Sequence, residues 1–279
     1  MPPLISPAGL LSLRHQANFI LIDARYGPNA KQAYADQHLN GALFVDLDTD
    51  LSQKGSSTAK GGRHPLPPLD KFLHVLGRLG ISPESHVVVY DEKNGALAAA
   101  RFWWMLRAVG HQTVQVLDGG MQAAIEAGFP TNADKVELPE PTVYEVSHWS
   151  LPMATAEEVE QAAKAPNHVV IDVREADRFR GEREPLDKIA GHIPGAVNVP
   201  FFGNLDPSGK FLPADELKRK YSDILGETLP TGAIVHCGSG VTACHTLLAM
   251  EQAGLDLPKL YVGSWSEWSE SGRPVATGE

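Results

Sequence analysis

Apolar positions along the chain fall into short runs that alternate with longer amphipathic stretches. In the C-terminal half, β-rich runs predict strands at 168–173, 196–199, 232–236 and 259–262. Between them, 155–164, 214–224 and 241–253 read as helices, the last with Val241, Leu247, Leu248 and Met250 on one mostly continuous apolar face. Strands that alternate with helices predict an α/β fold with a mainly parallel sheet and helices on both faces. In such sheets ligands bind beyond the carboxyl ends of the strands.

The same pattern occurs twice. "LIDAR" (21–25) pairs with "VIDVR" (170–174), and "QHLNGALFVDL" (37–47) with "GHIPGAVNVPF" (191–201). "VVVYDEKNG" (87–95) pairs with "AIVHCGSG" (233–240), and "LDGGMQAAIEAGFP" (117–130) with "YVGSWSEWSESGRP" (261–274). Asp23 to Asp172 is an offset of 149, and Asp91 to Cys237 one of 146. Four matches in one order at nearly one offset mean two copies of one domain. The chain of 279 residues is long enough for both. The expected division is a first domain at 1–135, a proline-rich linker at 136–152 and a second domain at 153–279.

Composition narrows the function classes. Hydrophobic residues make up 43% of the chain, and no apolar run reaches the length of a membrane span. A net charge of −10 argues against non-specific nucleic-acid binding. Two cysteines make a disulfide framework unexpected, and with no leader-like N-terminus the expected location is the cytoplasm. The eleven histidines show no metal-ligand spacing, so neither a metal nor a cofactor is expected.

The chemistry concentrates at 234–250, "IVHCGSGVTACHTLLAM". Cys237 follows a predicted strand and precedes a predicted helix, where unpaired backbone N–H groups favour a thiolate. Gly238 and Gly240 let the loop curl around an anion, and Ser239 and Thr242 add hydroxyl donors. The first copy has Asp91 where the second has Cys237, so one copy carries the thiol. Cys244, two helical turns on, reads as a core residue. A cysteine phosphatase requires an arginine six residues after the nucleophile, and this chain has Ala243 there.

"CGSGVTA" resembles the active-site loop of the rhodanese superfamily, and within it the mercaptopyruvate sulfurtransferases. "RFRGE" (178–182), "GHIPGAVNVP" (191–200) and "GSWSEW" (263–268) resemble further signatures of the tandem-domain members, as do "FWWMLRAVGH" (102–111) and "LDGG" (117–120). The resemblance implies that Cys237 takes sulfur from 3-mercaptopyruvate as a persulfide. Cyanide, a thiol or a thioredoxin-like protein then removes it. It also implies a Cys237–Ser239–Asp48 set, a donor-binding loop through Gly238, Gly240, Val241 and Thr242, a nearby His64, and Arg178 on the donor carboxylate. The family's second arginine falls at Leu186, and Arg183 and Lys188 are the nearby substitutes. Asp172 and Arg174 read as a structural pair, and Trp265 and Trp268 as packing residues. Neutral residues after Cys237 favour mercaptopyruvate over thiosulfate, whose enzymes tend to carry basic residues there. The alternatives are a thiosulfate:cyanide sulfurtransferase and a non-catalytic persulfide carrier. No metal, cofactor, membrane or nucleic-acid partner is expected.

Overall fold

The computed structural model describes residues 1–53, 55 and 57–279. The chain divides into two compact units. The first comprises Met1–Gln53, Pro67–Leu151 and Pro207–Phe211, the second Lys54–Leu66, Pro152–Asp206 and Leu212–Glu279. Each unit thus includes a short segment that lies, in sequence, within the other repeat.

In the first unit the strands are β1 (Leu4–Ile5), β2 (Phe19–Arg25), β3 (His38–Leu39), β4 (Leu43–Asp46), β5 (His86–Tyr90), β6 (Val114–Leu117) and β7 (Thr131–Asn132). Five form a sheet in the order β1-β6-β5-β2-β4, parallel throughout, while β3 and β7 make a separate antiparallel pair. The helices are α1 (Pro7–Leu13), α2 (Ala30–Asp36), α3 (Leu69–Arg78), α4 (Ala98–Ala108) and α5 (Gly120–Glu126). Central strands flanked by helices have no solvent face, so β5 reads Val-Val-Val and is buried over Val87–Tyr90.

The second unit repeats the plan with α6 (Ala156–Ala162), β8 (Val169–Asp172), α7 (Ala176–Phe179), β9 (Val197–Asn198), α8 (Ala214–Leu225), β10 (Ala233–His236), α9 (Thr242–Gln252), β11 (Lys259–Leu260) and α10 (Ser264–Trp268). Its sheet order, β11-β10-β8-β9, matches β6-β5-β2-β4 strand for strand. The counterpart of β1 is reduced to one parallel bridge, Met153 to Leu260. The four predicted strands and three predicted helices are all present, with ends shifted by one or two residues. Two short helices, α7 and α10, were not legible as helices, because four and five residues are too few for a periodic pattern.

The stretch 136–151 is a strap on the first unit. Thr142 donates its backbone N–H to Gly77 and its hydroxyl to Ile81. Buried Tyr144 meets His111 at 3.1 Å, and Trp149 stacks on Phe72. Gly77 has no substitute inside α3, since a Cβ there would lie 2.5 Å from the Thr142 carbonyl oxygen.

The two strand-end motifs fold alike. Arg25 pairs with Asp23 at 2.8 Å and donates to the Gln37 carbonyl, and Arg174 pairs with Asp172 at 2.6 Å and donates to that of Gly191. Both carbonyls belong to the residue just before the histidine of the repeated "HxxGA" segment.

At the end of β5, buried Asp91 fills its loop. Its carboxylate accepts backbone N–H bonds from Lys93, Gly95, Leu97 and Ala99 at 2.8 to 3.2 Å. Asp91→Ala leaves these donors buried without a partner. It is expected to destabilise the first unit by about 3 kcal/mol, read as a lowered urea midpoint, with Asp91→Asn retaining part of the loss.

Candidate active site

Cys237 stands one residue beyond β10 and is 1% exposed. Its loop is held from one side by the start of α10. The Cys237 N–H donates to Ser264 Oγ at 3.2 Å, Trp265 N–H donates to the Cys237 carbonyl at 3.0 Å, and Ser266 N–H to that of Gly238 at 2.9 Å. Ser264 adopts a left-handed backbone, φ 54°, unusual for a residue with a Cβ. Gly240 has φ +73°, and a Cβ on it would lie 2.4 Å from the Val262 carbonyl oxygen, so glycine is required there on both counts. Asn94, the equivalent of Gly240 in the first copy, has φ 56°. The two loops therefore share that left-handed step, although Gly95 (φ +80°) and Val241 (φ −96°) then differ.

The segment around residues 61–64, from the first repeat's sequence, completes the site in the second unit. Gly61 N–H donates to Glu267, and Arg63 N–H to Ser266 Oγ. Gly62 (φ +76°) lies so close that a Cβ would stand 2.3 Å from the Gly263 carbonyl oxygen. So anchored, His64 Nδ1 meets Ser239 Oγ at 2.8 Å, both residues being buried.

Charge gathers at the same loop. A Cβ on Gly238 would lie 3.0 Å from Arg63 Nη2 and 3.6 Å from Arg178 Nη2. Arg178 donates to Glu184 at 2.8 Å and Arg63 to Asp187. Arg174 stacks over the Trp265 ring at 4.7 Å. Burial alone would raise the Asp172 pKa, but His236 and then Arg174 beside it outweigh burial and hold the carboxyl below its usual range. Burial likewise opposes the Arg174 cation, yet Asp172, Glu184 and Cys237 together raise its pKa.

The structure brings Cys237, Gly238, Ser239, His64 and Arg178 together. Gly240 and Val241 continue the loop, Val241 buried, and Thr242 opens α9 half-buried. Arg183 is not brought in. It is exposed and spends its guanidinium on Asp177 at 2.6 Å, because the turn after α7 carries it outward. Lys188 is 83% exposed beside Glu270, and Leu186 is 61% exposed. Asp48 lies in the turn after β4 of the first unit, where its N–H donates to Asp46 and its carbonyl accepts from Ser52. Cys244 is buried, its thiol 3.4 Å from the Gly240 carbonyl. Trp265 and Trp268 are buried, their indole N–H groups donating to Ile189 and Pro274. Sequence reasoning missed Arg63. The signal was its place one residue before His64, but nothing in "GGRHP" shows which loop it faces.

A family model for the rhodanese-like domain matches the chain twice, over residues 6–127 and 155–271. The chain belongs to the rhodanese superfamily of tandem-domain sulfurtransferases, which are enzymes. It is 40% identical over 265 residues to a Pseudomonas aeruginosa protein named "Probable 3-mercaptopyruvate sulfurtransferase", covering 94% of this chain and 90% of that one. It is 34% identical over 263 residues to the Gallus gallus thiosulfate sulfurtransferase, covering 92% and 89%. The solved 3-mercaptopyruvate sulfurtransferase of Leishmania major superposes with a TM-score of 0.83 at 32% identity, covering 98% of this chain and 76% of that one. Among the described residues no helix is long and apolar enough to cross a membrane.

His236, at the end of β10, is fully buried 3.7 Å from Asp172. Burial, opposed by Asp172, pushes its pKa below the ordinary value, so its ring is neutral near pH 7 and adds no charge to the thiol. Because the folded pKa is depressed, the unfolded chain binds the proton first as pH falls. Stability is therefore expected to decline from about pH 6.5 downward, by about 1.4 kcal/mol per pH unit for this one group until the depressed folded pKa is reached. Urea titrations at pH 7.5 and 5.5 should show a shallower decline for the second unit in His236→Gln.

Proposed function

We propose that the chain transfers sulfane sulfur from 3-mercaptopyruvate, through a persulfide on Cys237, to a small thiol, cyanide or a thioredoxin-like protein. The observation that carries this reading is a buried thiol at the carboxyl end of β10 with the Arg178 guanidinium beside the next residue, Gly238. A donor with sulfur at one end and a carboxylate at the other spans that arrangement. The Cys237 thiolate attacks the donor sulfur, and the donor's carbon–sulfur bond breaks. The electron pair passes to carbon as the enolate of pyruvate, which takes a proton. The Ser239–His64 pair is suited to deliver it, since a hydroxyl bonded to an imidazole relays a proton without bearing charge itself. The outer sulfur stays on Cys237 until an acceptor thiolate or cyanide attacks it.

Asp91 supports the loop's role with the anion. The first copy holds a carboxylate on N–H groups of residues 93, 95, 97 and 99, and the offset of 146 carries these to 239, 241, 243 and 245. A persulfide anion on Cys237 is the counterpart of that carboxylate. The second reading, thiosulfate as donor, is favoured by the second guanidinium at Gly238, since a dianion gains from both. The relatives carry both names.

Cys237→Ser is expected to abolish sulfur transfer with an unchanged melting temperature. Mass spectrometry of the wild type after donor treatment should place one added sulfur on the Cys237 peptide. Persulfide on Cys244, or activity surviving in the variant, refutes the assignment. Mercaptopyruvate is expected to exceed thiosulfate at least about tenfold in kcat/KM, or roughly 1.4 kcal/mol at the transition state. Thiosulfate as the better donor selects the second reading.

A further inference from the structure

The resemblance leaves one cation unaccounted for. The resemblance implies a second arginine where this chain has Leu186, and Arg183 and Lys188 are engaged at the surface with Asp177 and Glu270. A cation nevertheless reaches the loop from elsewhere in the chain. Arg63 and Arg178 flank Gly238, their Nη2 atoms 3.0 and 3.6 Å from the position of a Cβ there. The backbone of Arg63 is pinned to Ser266 and its neighbour His64 to Ser239, so the guanidinium is placed by the same contacts that build the site.

Asp187 occupies the space by these two groups. One carboxylate oxygen accepts from Arg63 Nη1. The other is buried 3.7 Å from Arg178 Nη2 and accepts no hydrogen bond among the described residues. A carboxylate by two guanidinium groups with one oxygen unserved is poorly compensated for its burial. Burial pushes its pKa up against the pull of Arg63. A substrate carboxylate able to engage both guanidinium groups would satisfy them better.

We propose that Arg63 is the second guanidinium of the donor-carboxylate clamp, supplying the charge that Leu186 lacks, and that Asp187 is a resident carboxylate that the donor's own carboxylate exchanges with on binding. The proposal rests on mercaptopyruvate as donor. With Glu184, which already holds Arg178, Asp187 makes the clamp charge-neutral at rest, and the exchange gives Arg63 and Asp187 opposite effects on donor affinity.

The test combines steady-state kinetics with mercaptopyruvate and calorimetric binding of pyruvate, which has the carboxylate and ketone but no sulfur. Arg63→Leu should raise both the KM for mercaptopyruvate and the Kd for pyruvate about tenfold or more, with kcat within about threefold of wild type. Arg63→Lys, which keeps the charge and the pair with Asp187, should fall between the two and serves as the deciding variant if Arg63→Leu fails to fold. Asp187→Asn should lower both constants several-fold. The clamp is overturned if wild type binds no pyruvate, if the Arg63 variants bind it within about twofold of wild type, or if Asp187→Asn weakens binding. A wild type that binds pyruvate through Arg63 yet forms no Cys237 persulfide from mercaptopyruvate upholds the clamp and overturns the donor.

Discussion

The buried ion pair between Asp172 and Arg174 is the contact on which the second unit depends. Both side chains are withdrawn from water, a cost that a single Coulombic contact does not offset. Arg174 offsets it by spreading its donors. It reaches both oxygens of Asp172, the Gly191 carbonyl and Glu184, and lays its face on Trp265. These partners come from the end of β8, the "GHIPG" segment, the turn after α7 and α10. The Trp265 backbone N–H in turn donates to the Cys237 carbonyl. The backbone of Cys237 is thus braced through a charge buried one strand away, and the first unit keeps the same device at Asp23 and Arg25.

The charge inventory at the loop is nearly closed upon itself. Arg63, Arg174 and Arg178 face Asp172, Glu184 and Asp187, three cations against three anions. A site of this kind carries little net field at rest. The neutral sequence after Cys237 therefore does not describe a neutral surrounding. A Cβ on Gly238 would stand tight against the Arg63 guanidinium, at 3.0 Å, and in ordinary contact with that of Arg178, at 3.6 Å.

Duplication explains why the first copy still has a well-formed loop without a thiol. A curl of inward N–H groups buried without an anion is costly, and Asp91 supplies a permanent one. The second copy has Cys237 at that position instead. A buried carboxylate and a buried thiol thus occupy equivalent places on one frame.

The repeat, the alternation of strands and helices, and the position of Cys237 at a strand end followed from residue order alone, because hydrophobic periodicity and a 146-residue offset are local or self-referential signals. The Asp172–Arg174 pair was legible for the same reason, being two residues apart on one strand end. Short α7 and α10 left too few residues for a period. What only the tertiary structure decided was the membership of the site: that Arg183, close to Arg178 in sequence, turns outward to Asp177, while Arg63 and His64, more than 170 residues from Cys237, meet its loop. Sequence distance carries no record of the docking of residues 61–64 on α10, because that docking is made by two glycine backbones, Ser266 and Glu267, and backbone contacts across long separations leave no pattern in one chain.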